Sequence, residues 1–282
     1  MCEFHISISV LILTIAILLG VSEASNPAAP KPPPEAPDVA DVPCQDLRAD
    51  GDSNKRYFLI GTADKDKAPA SGYRLLIVLS GGDGSADFNP FIRRIYKNAL
   101  KKDWLIAQLV APRWDEQQAN RIVWPTQRTR YPGAKFTTEQ FIDAVIADVQ
   151  AKTRIDPQKI FLFGWSSGGP ACYAAMLRED TPVAGAFIAM SVFMPPQAST
   201  LAHAKGKAFY LLQSPDDKVT RMRFAEAARK ALEPAGAIVK LQPYPGGHGW
   251  RGNVFGMISA GVEWLDKASA RSSPAAESAP AE

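Results

Sequence analysis

Lys159-Ile160-Phe161-Leu162-Phe163-Gly164-Trp165-Ser166-Ser167-Gly168-Gly169-Pro170-Ala171-Cys172-Tyr173-Ala174-Ala175-Met176-Leu177 is the stretch whose reading decides the fold. Its first residues are an apolar run of strand length, and its last are small residues in a helical pattern. Between them lies Gly164-Trp165-Ser166-Ser167-Gly168. A G-x-S-x-G between a strand and a helix is the setting of a nucleophile elbow, where the serine sits on a strained turn with its hydroxyl exposed. Gly164 and Gly168 let neighbouring backbone approach without a clashing Cβ. The bland alternative is a Gly-rich strand-to-helix turn with an idle serine.

A serine activated in this way needs a base and an acid, which follow it in the order Asp/Glu, then His. The chain has three histidines. His5 lies in an N-terminal apolar segment, and His203 falls before the acid candidates, out of order, and reads as a surface residue. His248 sits in Pro245-Gly246-Gly247-His248-Gly249-Trp250, after the strand pattern Ala237–Leu241 and before a helix pattern. It is the candidate general base. The strand-like run Ala208–Gln213 leads into Ser214-Pro215-Asp216-Asp217-Lys218-Val219-Thr220. A carboxylate just past a strand end can orient the imidazole and stabilise imidazolium. Adjacent residues of extended chain face opposite sides, so one of the two aspartates serves. Asp217 is preferred and Asp216 is the alternate; the other is then a turn residue bonding backbone N–H groups.

An oxyanion hole completes such a site. Its donors are the N–H after the nucleophile, here Ser167, and one from the loop after an earlier strand. Tyr73–Leu79 is the strongest strand pattern of the N-terminal half and ends in Ser80-Gly81-Gly82-Asp83-Gly84-Ser85. Gly82 is the first choice as donor and Asp83 the alternate. The loop lacks the Lys-Ser/Thr of a phosphate-binding loop and the spacing of a dinucleotide fingerprint.

This ordered set of motifs resembles the α/β-hydrolase superfamily over about residues 56 to 267. Within it, the chain is most similar to secreted esterases of the phospholipase/carboxylesterase, dienelactone hydrolase and polyhydroxybutyrate depolymerase-like group. Two positions depart from that pattern. The oxyanion loop of the group begins His-Gly, where Ser80 precedes Gly81; the strand before the acid ends His-Gly-x-x-Asp, where this chain has Gln213-Ser214-Pro215-Asp216-Asp217. The second alignment also favours Asp217. The resemblance implies a serine hydrolase of the carboxylesterase type, cleaving small-molecule or polymeric esters through an acyl-enzyme, with no metal and no cofactor. Two rivals stand beside it. Gly-Trp-Ser-x-Gly-Gly also resembles the elbow of prolyl-oligopeptidase-type peptidases, but the chain shows no propeller and no acidic pair to hold an amino terminus. A non-catalytic envelope binding protein of the same fold would usually lack a triad member.

The rest of the chain fits a doubly wound, mostly parallel sheet flanked by helices, with no separate cap domain. Strand patterns at Tyr57–Gly61, Arg74–Leu79, Trp104–Val110, Lys159–Phe163, Ala184–Met190, Lys207–Gln213 and Ile238–Tyr244 alternate with helix patterns at Thr138–Thr153, Gly168–Leu177, Met222–Leu232 and Val254–Ala268. Alternation of this kind implies right-handed parallel crossovers. All three triad candidates fall just past strand C-termini, where such sheets bind ligands.

Residues 6–21 are almost wholly apolar and Ser22-Glu23-Ala24 follows, which reads as a secretory signal peptide over 1–24 and a secreted or periplasmic protein. No Lys or Arg precedes the apolar run, so a retained anchor is the alternative and the one route to a membrane. Residues 25–55 read as a Pro/Ala-rich linker and lead-in, 56–267 as the catalytic domain, and 268–282 as a disordered tail. Cys44 closes the linker and Cys172 lies on the helix after the elbow; a disulfide between them is not expected to reach.

The formal net charge of +3 says little about partners. Arg93-Arg94 to Lys101-Lys102 reads as the solvated face of an amphipathic helix. Arg113, Arg121, Arg128 and Arg130 interleave with Trp114, Trp124, Tyr131 and Phe136. That stretch reads either as a connection over the site, contributing to its pocket, or as a long packed surface loop. No nucleic-acid motif accompanies it.

Overall fold

Apolar runs of strand length dominate the middle of the chain and become the centre of an eight-stranded sheet. The computed structural model describes residues 37–118, 122–196 and 198–272. The strands are β1 (Cys44–Arg48), β2 (Arg56–Ile60), β3 (Tyr73–Leu79), β4 (Trp104–Leu109), β5 (Ile155–Trp165), β6 (Gly185–Ala189), β7 (Ala208–Gln213) and β8 (Ile238–Pro243). Their order is β1-β2-β4-β3-β5-β6-β7-β8. Strands β4 to β8 are parallel, while β2 pairs antiparallel with both β1 and β4. After β4 the winding reverses across β3, so the switch point of the sheet lies beside β3 and β5, where such sheets open a ligand crevice.

The helices are α1 (Asn89–Ala99), α2 (Thr138–Lys152), α3 (Gly169–Met176), α4 (Ala198–Leu201), α5 (Met222–Leu232) and α6 (Val254–Ser272). Side chains alternate across each strand, and β3 shows the consequence. Leu75, Ile77 and Leu79 face the core layer that also holds Phe141 and Ile142 of α2, Ala171 of α3 and Leu232 of α5. Leu76 and Val78 face the opposite core layer, which also holds Ile92 and Ile95 of α1 and Ile258, Val262 and Leu265 of α6. A strand covered on both faces has no reason for polar positions, and so β3 is a nearly unbroken apolar run. Thr137 opens α2 with a capping box, its hydroxyl accepting from the Gln140 N–H while the Gln140 side chain accepts from the Thr137 N–H.

The described chain enters along α1. The Arg93 guanidinium donates to the carbonyls of Val39 (2.5 Å) and Val42 (3.0 Å). Arg94 forms a two-pronged pair with Asp38 at 2.8 and 3.0 Å, and Lys97 reaches the Asp41 carboxylate at 2.8 Å. Val39 and Val42 are buried under this strap. Arg93 and Arg94, on the face expected to be solvated, are therefore part of the dock for residues 38–42, whereas Lys101 and Lys102 are exposed as expected. β1 then adds an edge strand, so the sheet begins at Cys44, inside the stretch expected to be linker and lead-in. At the other end α6 runs to Ser272, and Ala268 and Ser269 are buried, past the expected start of the tail. The apolar segment 6–21, with the signal peptide read from it, lies outside the described residues. Among the described residues no helix is long and apolar enough to cross a membrane. Cys44 and Cys172 are both free.

A protein beginning at residue 56 should melt well below one beginning at residue 37. The two buried valines alone contribute about 3–6 kcal/mol, and thermal unfolding followed by circular dichroism reads the difference.

Candidate active site

β5 delivers its last residue, Trp165, directly to Ser166. Ser166 has φ of +51°, a left-handed conformation costing a non-glycine residue about 1–3 kcal/mol. Close packing on both sides imposes it. A Cβ on Gly164 would stand 2.5 Å from the Cys172 sulfur, and one on Gly168 would stand 2.1 Å from the Leu79 carbonyl oxygen. The Ser191 hydroxyl donates to the Ser166 carbonyl at 2.7 Å, fixing the turn from the β6 side. Cys172 is fully buried, and burial raises its thiol pKa far above the ordinary value. It packs as an inert small hydrophobe beneath the turn.

The structure brings three of the expected residues together. Ser166 Oγ lies 3.1 Å from His248 Nε2, and His248 Nδ1 lies 2.9 Å from Asp217 Oδ2. Asp216, the alternate acid, is exposed, and its backbone N–H donates to Ser214 Oγ at 3.2 Å. The Asp217 side chain is 0% exposed. Burial alone would raise its pKa. Donation from the Thr220 hydroxyl (2.7 Å), from His248, and from the Thr220 and Val219 N–H groups (2.8 Å each) outweighs burial and holds the pKa below the ordinary value. Asp217 is therefore a charged, fully solvated-by-protein anion, able to stabilise an imidazolium.

Sequence reasoning missed several supports. Gln213 Nε2 donates to Asp217 Oδ2 at 3.1 Å and to the Thr220 carbonyl at 2.6 Å. Thr220 Oγ1 also lies 3.2 Å from His248 Nδ1. The only sequence signal was the departure of Gln213-Ser214 from His-Gly; a threonine in a turn carries none.

The loop expected to supply an oxyanion donor reaches the elbow because β3 and β5 are neighbours, with Leu79 opposite Gly164. Ser167 Oγ donates to the Gly82 carbonyl at 2.8 Å, so the two expected donor residues are in contact. Among the described residues no acceptor pairs with the N–H of Gly82 or of Asp83. The Asp83 carboxylate accepts from the Ser85 N–H at 3.0 Å and is occupied in its own turn. Trp124 Nε1 donates to the Ser80 carbonyl at 3.0 Å, and Trp124 is buried. Trp124, from the aromatic-basic connection between β4 and α2, thus braces this loop. Residues Thr126–Thr129 of the same connection also wall a groove of about 660 Å³ along α3, opposite Phe193 and Met194. No triad residue lines that groove. Arg121 lies outside the described residues. On another side of the site Trp165 and Trp250 meet edge to face (6.0 Å between centroids), and Phe91 packs on both.

The sheet, the elbow and the placement of site residues at strand ends define an α/β-hydrolase. The model of the phospholipase/carboxylesterase family matches residues 120–262, a span holding Ser166, Asp217 and His248. The chain belongs to that family, and it is an enzyme of the carboxylic ester hydrolase class. Three solved structures show the likeness of fold. A carboxylesterase of Bacillus cereus shares 15% identity with a TM-score of 0.53, covering 75% of this chain and 93% of its own. MGS-M1, an α/β-hydrolase enzyme from a Medee basin deep-sea metagenome library, gives 11% and 0.61, covering 81% and 98%. A truncated carbohydrate esterase from gut microbiota gives 15% and 0.59, covering 81% and 96%. No curated protein sequence is significantly similar to this chain.

Asp217→Asn should lower kcat roughly 10³- to 10⁴-fold, as loss of the orienting carboxylate does in comparable triads. Asp216→Asn should change it less than about twofold, because a solvated carboxylate loses little by substitution. Steady-state kinetics of the two variants separates them.

The depressed pKa of Asp217 also fixes a sign. The folded protein holds this proton more weakly than the unfolded chain, whose aspartate pKa is about 3.9. The stabilisation is present above about pH 4 and is lost as pH falls through the folded value. The melting temperatures of wild type and Asp217→Asn should converge between pH 7 and pH 3.

Proposed function

We propose that the protein hydrolyses carboxylic esters in two steps through an acyl-enzyme on Ser166. The observation that carries this reading is the unbroken chain from Ser166 Oγ through His248 to the buried Asp217, at 3.1 and 2.9 Å. His248 Nε2 takes the hydroxyl proton as Ser166 Oγ bonds to the ester carbonyl carbon. The carbonyl π electrons move to oxygen, and the N–H groups of Gly82 and Ser167 donate hydrogen bonds to the oxyanion so formed. Each such donor is worth roughly 3 kcal/mol in comparable sites. The tetrahedral species collapses, the C–O bond to the alcohol breaks, and His248 returns the proton to the departing oxygen. Water then attacks the acyl-enzyme with His248 again as base, releasing the acid and restoring Ser166. Asp217 holds the imidazole tautomer throughout and stays ionised.

The small-molecule ester class follows from the family. The signal-peptide reading of residues 1–24 places the enzyme outside the cytoplasm; secretion of a tagged full-length chain, with the mature N-terminus sequenced, tests that placement.

Wild type should turn over p-nitrophenyl esters and label with a fluorophosphonate, and Ser166→Ala should do neither while melting close to the wild-type temperature, since the substitution removes one part-exposed hydrogen bond, that to His248. Equal turnover by both proteins would remove Ser166 from the mechanism. Labelling without ester turnover would move the assignment to peptide substrates.

A further inference from the structure

The loop that carries His248 has little stiffness of its own. Gly246, Gly247, Gly249 and Gly252 adopt φ of +154°, +69°, +158° and +72°. Glycines are the least constrained residues of an unfolded or loosened chain, so neighbouring groups must hold such a loop. Three side chains do so. The Tyr244 hydroxyl lies 3.0 Å from the Gly247 carbonyl and 2.8 Å from the Gly249 carbonyl, the two that flank His248. Its single proton serves one of them at a time. The Gly247 N–H donates to Ser214 Oγ at 3.0 Å, and the Gly249 N–H lies 3.1 Å from the Met190 sulfur.

Ser214 differs from the other two because it belongs to the acid's turn. Its hydroxyl oxygen accepts from the Asp216 N–H at 3.2 Å as well as from Gly247, and its carbonyl accepts from the Asp217 N–H at 3.2 Å. It is 0% exposed. One buried hydroxyl thus joins the backbone beside the base to the backbone beside the acid. The sequence pattern that the chain resembles has glycine here, which offers no such bond.

We propose that Ser214 and Tyr244 are positioning residues that set the place of the His248 ring. Ser214 straps the histidine loop to the acid turn, and Tyr244 braces the two carbonyls on either side of the histidine. Neither is placed against the reacting atoms. The inference rests on the catalytic reading of His248. A misplacement of about 1 Å in such a site costs on the order of 10²-fold in rate, so the loss of either hydroxyl should be legible in kcat.

The test compares the full-length wild type with Ser214→Ala, Tyr244→Phe and Ser214→Thr. With a p-nitrophenyl ester, Ser214→Ala and Tyr244→Phe should lower kcat about tenfold or more and leave KM within about twofold. The acidic limb of kcat/KM should move to lower pH, because a slacker Asp217–His248 pair stabilises imidazolium less. Ser214→Thr, which keeps the hydroxyl, should restore kcat toward wild type. The low-field proton resonance of His248 Nδ1–H provides a readout that needs no turnover: it should stand in wild type and broaden in Ser214→Ala and Tyr244→Phe. Unchanged kcat and an unchanged resonance in both variants would overturn the proposal. So would a kcat loss that tracks a fall in melting temperature while the pH limb and the resonance stay put. If wild type itself shows no serine-dependent turnover, the catalytic reading fails, and the resonance alone then decides whether the two hydroxyls place the ring.

Discussion

A single close approach organises this molecule: no side chain fits between Gly168 and the carbonyl of Leu79. That contact seats the start of α3 directly against the end of β3. With α3 so placed, the chain leaving β5 has no room for a relaxed turn, and Ser166 takes its left-handed backbone. The same contact brings Ser167 within hydrogen-bonding reach of Gly82. Strand pairing, the strained serine and the neighbouring Gly82 loop are therefore one geometric fact seen from three places. The strain persists because the surrounding packing over-determines it.

Around the acid the governing term is solvation by protein groups in place of water. A buried carboxylate with no donors would be neutral or would not be buried. Asp217 accepts from Thr220 twice, from Val219, from Gln213 and from His248. All of these donors except His248 come from one tight turn and the strand before it. The turn solvates the carboxylate, and His248 adds a partner from a distant loop. Asp216, one residue earlier, points its charge into water and lacks all of these partners.

How much of this could be read from the sequence depended on how the information was stored. The central strands, the elbow and the order of site residues were legible because they are written in contiguous apolar runs and a local motif. β1 was not: Cys44-Gln45-Asp46-Leu47-Arg48 is an edge strand with mostly solvated side chains, and so it has no apolar alternation to detect. The strap at residues 38–42 was hidden for a related reason, since its partners Arg93, Arg94 and Lys97 look like any solvated helix face until the far segment is in place. Ser214, Thr220 and Tyr244 escaped notice because serine and threonine are ordinary turn residues and a strand-end tyrosine is ordinary core. Their meaning lies in partners that only the tertiary structure supplies. The pair Asp216-Asp217 was ambiguous locally and was separated by burial.

The sheet order places His248 at the margin. β5, which carries Ser166, lies within the sheet, whereas β8, which precedes His248, is its edge and is only half-buried along its length. Ser166 and His248 are 82 residues apart in sequence. Elements with few buried contacts open at lower free energy than the core, and contacts of such long range form late when a chain folds. Fraying of one edge strand would thus disconnect the histidine while the serine and its elbow remain intact. The position of His248 is tied to the part of the sheet with the fewest neighbours, and that of Ser166 to the part with the most.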